Sequence, residues 1–344
     1  MGRNFRRSRS TPSTTYPPIA DILIIRFDGI GDAVVLAPLI VGLRAAGHRL
    51  DILLSEQNRD VFAPGVFDET FSAPRSAWKT RNVRRDFATL LARLRARRYD
   101  HALIATEETS AYRLARAADI PNRRGFENGW GKPFKTLLVR SLCTSTVHRP
   151  ASLREAVHEA RVQYRLAQEL GAQAEPTRDL TLLSPLFISD PPPREATIAL
   201  QAGVKWERLG MDIATLSKVL ARLARTAPVR VFVRRSEAAH AHAIADGHDV
   251  AVDCFDELGP WKRAIAQARL LITPDTGAAH IAGMLGTPTV DCFPNKDYEL
   301  QIARWAPWAA PNATVRIASN ANDSLERIIA SAEKLISLAP PPPH

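Results

Sequence analysis

Residues 21–46 read DILIIRFDGIGDAVVLAPLIVGLRAA, and the change of period inside this stretch decides the fold. Residues 21–26 are a short β-branched run that suits a strand. A glycine turn, FDGIGD, follows, and from Ala33 onward the apolar residues recur at helical spacing until Gly47 ends the series. Working outward, LDILLS at 50–55 reads as a second strand. YDHALIAT at 99–106 reads as a later one, after the arginine-rich amphipathic stretch DFATLLARLRARR at 86–98. Strands alternating with helices predict a parallel sheet wrapped by helices.

The alternation pauses and then begins again. ASLREAVHEARVQYRLAQELG at 151–171 predicts one long helix closed by Gly171, followed by a polar, proline-rich stretch through 189–196. A second series runs from ATIALQAG at 196–203 through the helix 214–226, the strand 229–233, a helix around 262–268, the strand 269–274, the helix 278–286 and the strand 289–293. A last helix spans 324–338. The expected organisation is a basic disordered tail (1–18), a first α/β domain (19–175), a linker (176–190), a second α/β domain (191–322), a C-terminal helix (323–338) and a disordered tail (339–344). A chain of 344 residues has room for two such cores.

The formal charge of +10 suits phosphate-bearing ligands, nucleic acid or an anionic membrane face, and by itself does not choose among them. Arg81, Arg84, Arg85, Arg95, Arg97 and Arg98 concentrate in the first half, where they read either as a surface for anionic lipid or phosphorylated glycan or as an ordinary solvated face. Cys143, Cys254 and Cys292 lie far apart without a CxxC pair, which argues against a disulfide framework or zinc knuckle and fits a reducing cytoplasm. No window approaches the roughly 18 uninterrupted apolar residues of a membrane span, so any membrane contact is expected to be peripheral.

Two turns carry the candidate chemistry. Gly29, Gly31 and Asp32 stand between the first strand and its helix, at the carboxyl edge where open α/β sheets place ligands. A dinucleotide fingerprint needs a third glycine where Val34 stands, and Asp32 at the helix start would repel a pyrophosphate, so an NAD-dependent oxidoreductase is disfavoured. Taken alone, Asp32 reads equally as a helix cap or as a catalytic carboxylate. The second turn is TPDTGAAHIAG at 273–283. It puts Thr276 and Gly277 at a helix N-terminus suited to a diphosphate, with Asp275 beside them as a cap or a ligand. His280, one helical turn later, is expected on the same face, with its ring on the rim donating to a phosphate. His240 and His242 lack a third ligand at sensible spacing, so no metal site is expected.

In ILIIRFDGIGDAVVLAPLIVGLRAAG and LLITPDTGAAHIAGMLGTPTV, together with the RWAPW segment, the chain resembles the family-9 glycosyltransferases, the ADP-heptose:lipopolysaccharide heptosyltransferases, over about residues 20–310. The resemblance implies a GT-B fold of two Rossmann-like domains facing a central cleft, with the acceptor on the first domain and the nucleotide sugar on the second. It implies inverting transfer without an obligatory metal or other cofactor, from a donor expected to be ADP-heptose, to a lipopolysaccharide-core or other lipid-linked or phosphorylated surface glycan. By the G-D match, Asp32 corresponds to the family's catalytic base, beside the acceptor-side loop of Gly29 and Gly31. Asp275, Thr276, Gly277 and His280 correspond to its donor motif. The family's diphosphate-binding lysine falls on Lys205 or Arg208 in VKWERLG, where the usual proline after the tryptophan is missing. Its acidic nucleoside contact falls on Glu237, preceded by Arg234 and Arg235 where glycines are usual. The partners implied are a nucleotide sugar and the glycan acceptor at the cytoplasmic face of a membrane, and no nucleic acid. A non-catalytic nucleotide-sugar-binding protein of the same fold is the rival, disfavoured by the retention of Asp32, Asp275 and His280.

Overall fold

Each expected strand forms, and the computed structural model, which describes residues 18–74, 81–149 and 156–338, assembles them with five more into two six-stranded sheets. The first contains β1 (Asp21–Arg26), β2 (Arg49–Ser55), β3 (Thr70–Ala73), β4 (His101–Ile104), β5 (Asn122–Glu127) and β6 (Ser145–His148), in the order β3-β2-β1-β4-β5-β6. The second contains β7 (Ile198–Gln201), β8 (Val229–Arg234), β9 (Ala251–Phe255), β10 (Leu270–Pro274), β11 (Thr289–Pro294) and β12 (Asn312–Ile317), in the order β12-β11-β10-β7-β8-β9. Every neighbouring pair is parallel; Ile24 lies between Ile52 and Leu103, and Ile272 between Val290 and Leu200. This is the GT-B architecture, the same strand order used twice. Strand order reverses at β1/β4 and again at β7/β10, and the crevice outside the carboxyl ends at such a point is where ligands bind.

Three local expectations need correcting. The helix read from Ala33 is two helices, Ile30–Val34 and Ala37–Ala45, because Pro38 has no N–H to give to the carbonyl one turn back. In the long helix expected at 151–171, residues 151–155 lie outside the described residues. Beyond them only Glu159–Tyr164 is α-helical, followed by a 3-10 turn at Gln168–Leu170 and then Gly171 at φ 78°. That helix starts late because His158 is its cap, with Nδ1 accepting from the Ala160 N–H at 3.1 Å and Nε2 held 2.7 Å from the Ala306 carbonyl. Burial lowers the His158 pKa to about 4, so the ring is neutral and can accept at one nitrogen while donating at the other. The segment 176–190 is also more than a polar connection. Leu183, Leu186, Phe187 and Ile188 are buried, Phe187 stacks on Phe62, and Arg178 lies over the Trp308 ring at 4.1 Å. The tails expected at 1–18 and 339–344 lie outside the described residues apart from Pro18.

The two sheet units share one apolar cluster, which joins Ile24, Val34 and Leu36 of the first to Ala278, Ile281 and Met284 of the second. A buried cation also ties them: Lys262 donates to the carbonyls of Asp60 and Val61, at 3.0 and 2.8 Å. Burial pulls the Lys262 ammonium down from 10.5 to about 8, with Asp60 opposing only in part. Over this window the unfolded chain therefore binds more protons than the folded one, and stability should rise with pH between about 8 and 10.5. Urea unfolding across that range should show the rise in the parent and its loss in Lys262→Met; parallel profiles for the two proteins would contradict it.

Candidate functional site

Arg26 closes β1 and is only 2% exposed. Its guanidinium bonds the Ala105 carbonyl after β4, so it bridges the two strands at which the order reverses. It also holds two carboxylates at the sheet edge, with Nε 3.2 Å from Asp28 and Nη2 2.6 Å from Asp32. Burial works against the arginine's charge, but Asp32 and then Asp28 outweigh it and its pKa rises. Asp32 uses its other oxygen to accept the Gly29 N–H at 3.1 Å, so it does cap the short helix Ile30–Val34 while staying 31% exposed. In the sequence Asp28 is simply part of the glycine turn and Arg26 the last residue of the first strand. Their ion pair shows how the first motif's charges are held.

The second turn is ordered by Thr276, not Asp275. The Thr276 hydroxyl accepts from the Ala278 N–H at 3.3 Å and lies 3.1 Å from the Thr273 hydroxyl, capping the helix Gly277–Leu285. Asp275 is thereby left for other neighbours, 3.5 Å from Lys205 Nζ and 3.7 Å from His280 Nε2. Lys205 itself comes from the loop after β7, at the second reversal point, on the short helix Lys205–Arg208 that buried Trp206 anchors through a 2.8 Å bond to the Gln201 carbonyl. Glu237 reaches the same loop and accepts from the Val204 N–H at 3.3 Å. A Cβ on Gly203 would lie 2.5 Å from its carboxylate, so a larger residue there would push the Glu237 side chain aside.

These pieces border a cleft of about 590 Å³, within the range of small-molecule sites. Lys205, Arg208, Glu237, Thr276 and Gly277 line it from the second unit, with Ile30 and Gln57 from the first. Arg234 borders the cleft, while Arg235 is turned to Asp256. Lys205 and Arg208 share the lining with the start of the helix Gly277–Leu285, so cationic side chains and helix N-terminal N–H groups border one space, an arrangement that suits an anion.

His280 requires a correction. It is 5% exposed and does not border the cleft as an exposed rim residue; its ring packs on Trp305 at 5.5 Å and fills the space that Gly31 leaves open. A Cβ on Gly31 would come 2.3 Å from the ring, and one on Gly277 would meet Ile30 at 2.9 Å. The glycines of both motifs thus let the two helix starts touch across the units. Burial lowers the His280 pKa, only partly offset by Asp275 and Asp32, so the ring is neutral near pH 7. Sequence reasoning also passed over Asp291 on β11. It is fully buried, and burial and then Asp275 push its pKa well above the carboxylate range.

His240 Nδ1 lies 3.4 Å from Glu207, and among the described residues no three His, Cys, Asp or Glu side chains gather as a metal site would require. Of the six arginines of the basic face, three are committed to carboxylates: Arg85 pairs with Asp86, Arg95 with Asp119 and Arg97 with buried Asp51. No helix among the described residues is long and apolar enough to cross a membrane.

The family model of glycosyltransferase family 9 (heptosyltransferase) matches residues 87–334. Among solved structures, the family-9 glycosyl transferase of Veillonella parvula superposes with a TM-score of 0.74 at 16% identity, covering 93% of this chain and 98% of its own. E. coli heptosyltransferase WaaC with ADP gives 0.71 at 16% identity, covering 90% and 99%. E. coli ADP-heptose lps heptosyltransferase II gives 0.67 at 16%, covering 92% and 99%. No curated protein matches the sequence.

Proposed function

From the premise that the chain belongs to glycosyltransferase family 9 and is a glycosyltransferase, we propose that it transfers heptose from ADP-heptose, with inversion and without a resident metal, to a lipopolysaccharide-core or other surface-glycan acceptor at the cytoplasmic face of a membrane. The observation that carries this reading is that Lys205, Arg208 and the Thr276–Gly277 turn line one cleft, which Ile30, on the same short helix as Asp32, borders from the first unit. Solved relatives named as heptosyltransferases with ADP and with an ADP-heptose analogue support the choice of donor.

In this reading the diphosphate lies between Lys205 or Arg208 and the N–H groups at Gly277, which stabilise the charge that develops as it leaves. Glu237 faces the nucleoside. Asp32 takes the proton of an acceptor hydroxyl as that oxygen attacks the anomeric carbon, and the nucleoside diphosphate departs from the opposite face. Arg26 and the Gly29 N–H fix the carboxylate's orientation. The neutral His280 ring sets the spacing between the base loop and the donor turn rather than supplying a cation.

The donor half is tested by calorimetry with ADP, UDP and GDP. ADP should bind most tightly, and Lys205→Met should weaken it by about ten- to a hundredfold, the worth of one charge-assisted hydrogen bond. An unchanged affinity would remove Lys205 from the donor site, and preference for UDP or GDP would remove ADP-heptose as the donor.

A further inference from the structure

We infer that the ridge formed by Trp130, Phe134 and Leu137 docks the protein on an anionic lipid bilayer. These side chains are 96%, 87% and 66% exposed. The helix Pro133–Leu142 buries Thr136, Val139 and Leu142 against the first sheet unit; Phe134 and Leu137, three residues apart, share its outer side, and Trp130 stands in the 3-10 turn Gly129–Gly131 that leads into it. The other large exposed apolar residues among those described, such as Ile19, Leu182 and Val204, are far from these in the sequence. Three neighbours on one ridge are a patch, whereas single exposed residues need no explanation.

Charge selects the occupant. Residues 107–149 carry eight lysines and arginines against four acidic residues. Lys132 and Lys135 both meet Glu107, which Arg149 shares with Glu159, and Arg140 meets Glu127, so four cations face three carboxylates beside the ridge. An apolar ridge with a tryptophan at its start and a cationic border matches the headgroup boundary of a bilayer containing acidic lipid. A second copy of the same face would bring like charges together, which disfavours self-association there. The ridge follows β5 at the carboxyl edge of the first sheet, two strands from β1 and therefore about 10 Å along the edge that carries the Asp32 loop. A bilayer held there would present the glycan of a lipid-linked acceptor to that loop. This last step rests on the proposed function; the docking itself does not.

The test is flotation of the full chain with phosphatidylcholine vesicles, with and without phosphatidylglycerol. The parent should float with the anionic vesicles, more weakly at high salt, and its tryptophan emission should shift to the blue. The triple variant Trp130→Ser, Phe134→Ser, Leu137→Ser should lose at least about a hundredfold in partitioning. It should fold normally and transfer sugar to a lipid-free acceptor at the parent rate. No flotation of the parent, equal flotation of the variant, or a parent dimer in sedimentation that the variant abolishes would each overturn the inference. A parent that floats yet transfers nothing would overturn the proposed function and leave the docking surface standing.

Discussion

Asp32→Asn should lower single-turnover sugar transfer by about a hundred- to ten-thousandfold, the usual worth of a general base, while leaving donor affinity nearly unchanged. The structure makes this substitution informative because Asp32 does two jobs that asparagine separates. Its bond to the Gly29 N–H is a capping contact that asparagine can reproduce, so the helix Ile30–Val34 should survive. Its pairing with Arg26 is a charge interaction that asparagine weakens, but Asp28 remains on the same guanidinium. A stability loss of about 1–2 kcal/mol is expected, and melting should shift by only a few degrees. If the cap were the whole role, Asp32→Asn would turn over at the parent rate. Stopped-quench transfer and thermal melts on the same preparations distinguish the two.

Arg26→Met should have the largest effect on stability. The substitution leaves Asp28 and Asp32 without their common cation and removes the link to the Ala105 carbonyl that holds β1 to β4 at the reversal point. The two carboxylates are 28% and 31% exposed, so water shares part of the load, and the cost should be about 2–4 kcal/mol, or on the order of 10 °C in melting temperature. Arg26→Lys, which keeps the charge but not the forked geometry, should fall between parent and Arg26→Met. A methionine variant as stable as the parent would show that the ion pairs at this edge carry no net weight.

The parts of the fold that could be read from sequence are those with strong periodicity. β1, β7 and β10 are apolar runs flanked by turns and helices, and they form where expected. Of the five strands that the period did not reveal, β5 is NRRGFE and β6 is STVH, whose partly solvated residues show no apolar run. Pro38 was visible, but an otherwise unbroken helical period on either side of it concealed the break. At the site, the glycine turns and the resemblance they carry located both loops, yet the resemblance could not say what each glycine accommodates. Gly31 and Gly277 admit each other's helices across the units, so His280 is packed where a rim residue was expected. Arg26 and Lys262 were invisible as functional groups because their meaning lies in partners distant in sequence, the carbonyls of Ala105, Asp60 and Val61.

The most direct test of the account is the product itself. The purified chain, given ADP-heptose and a lipopolysaccharide-core acceptor, should release ADP and form a glycosidic bond whose anomeric configuration, read by proton NMR, is inverted relative to the donor. A product that keeps the donor's configuration would contradict the single displacement assigned to Asp32, and ADP-heptose left unconsumed beside a competent acceptor would contradict the donor.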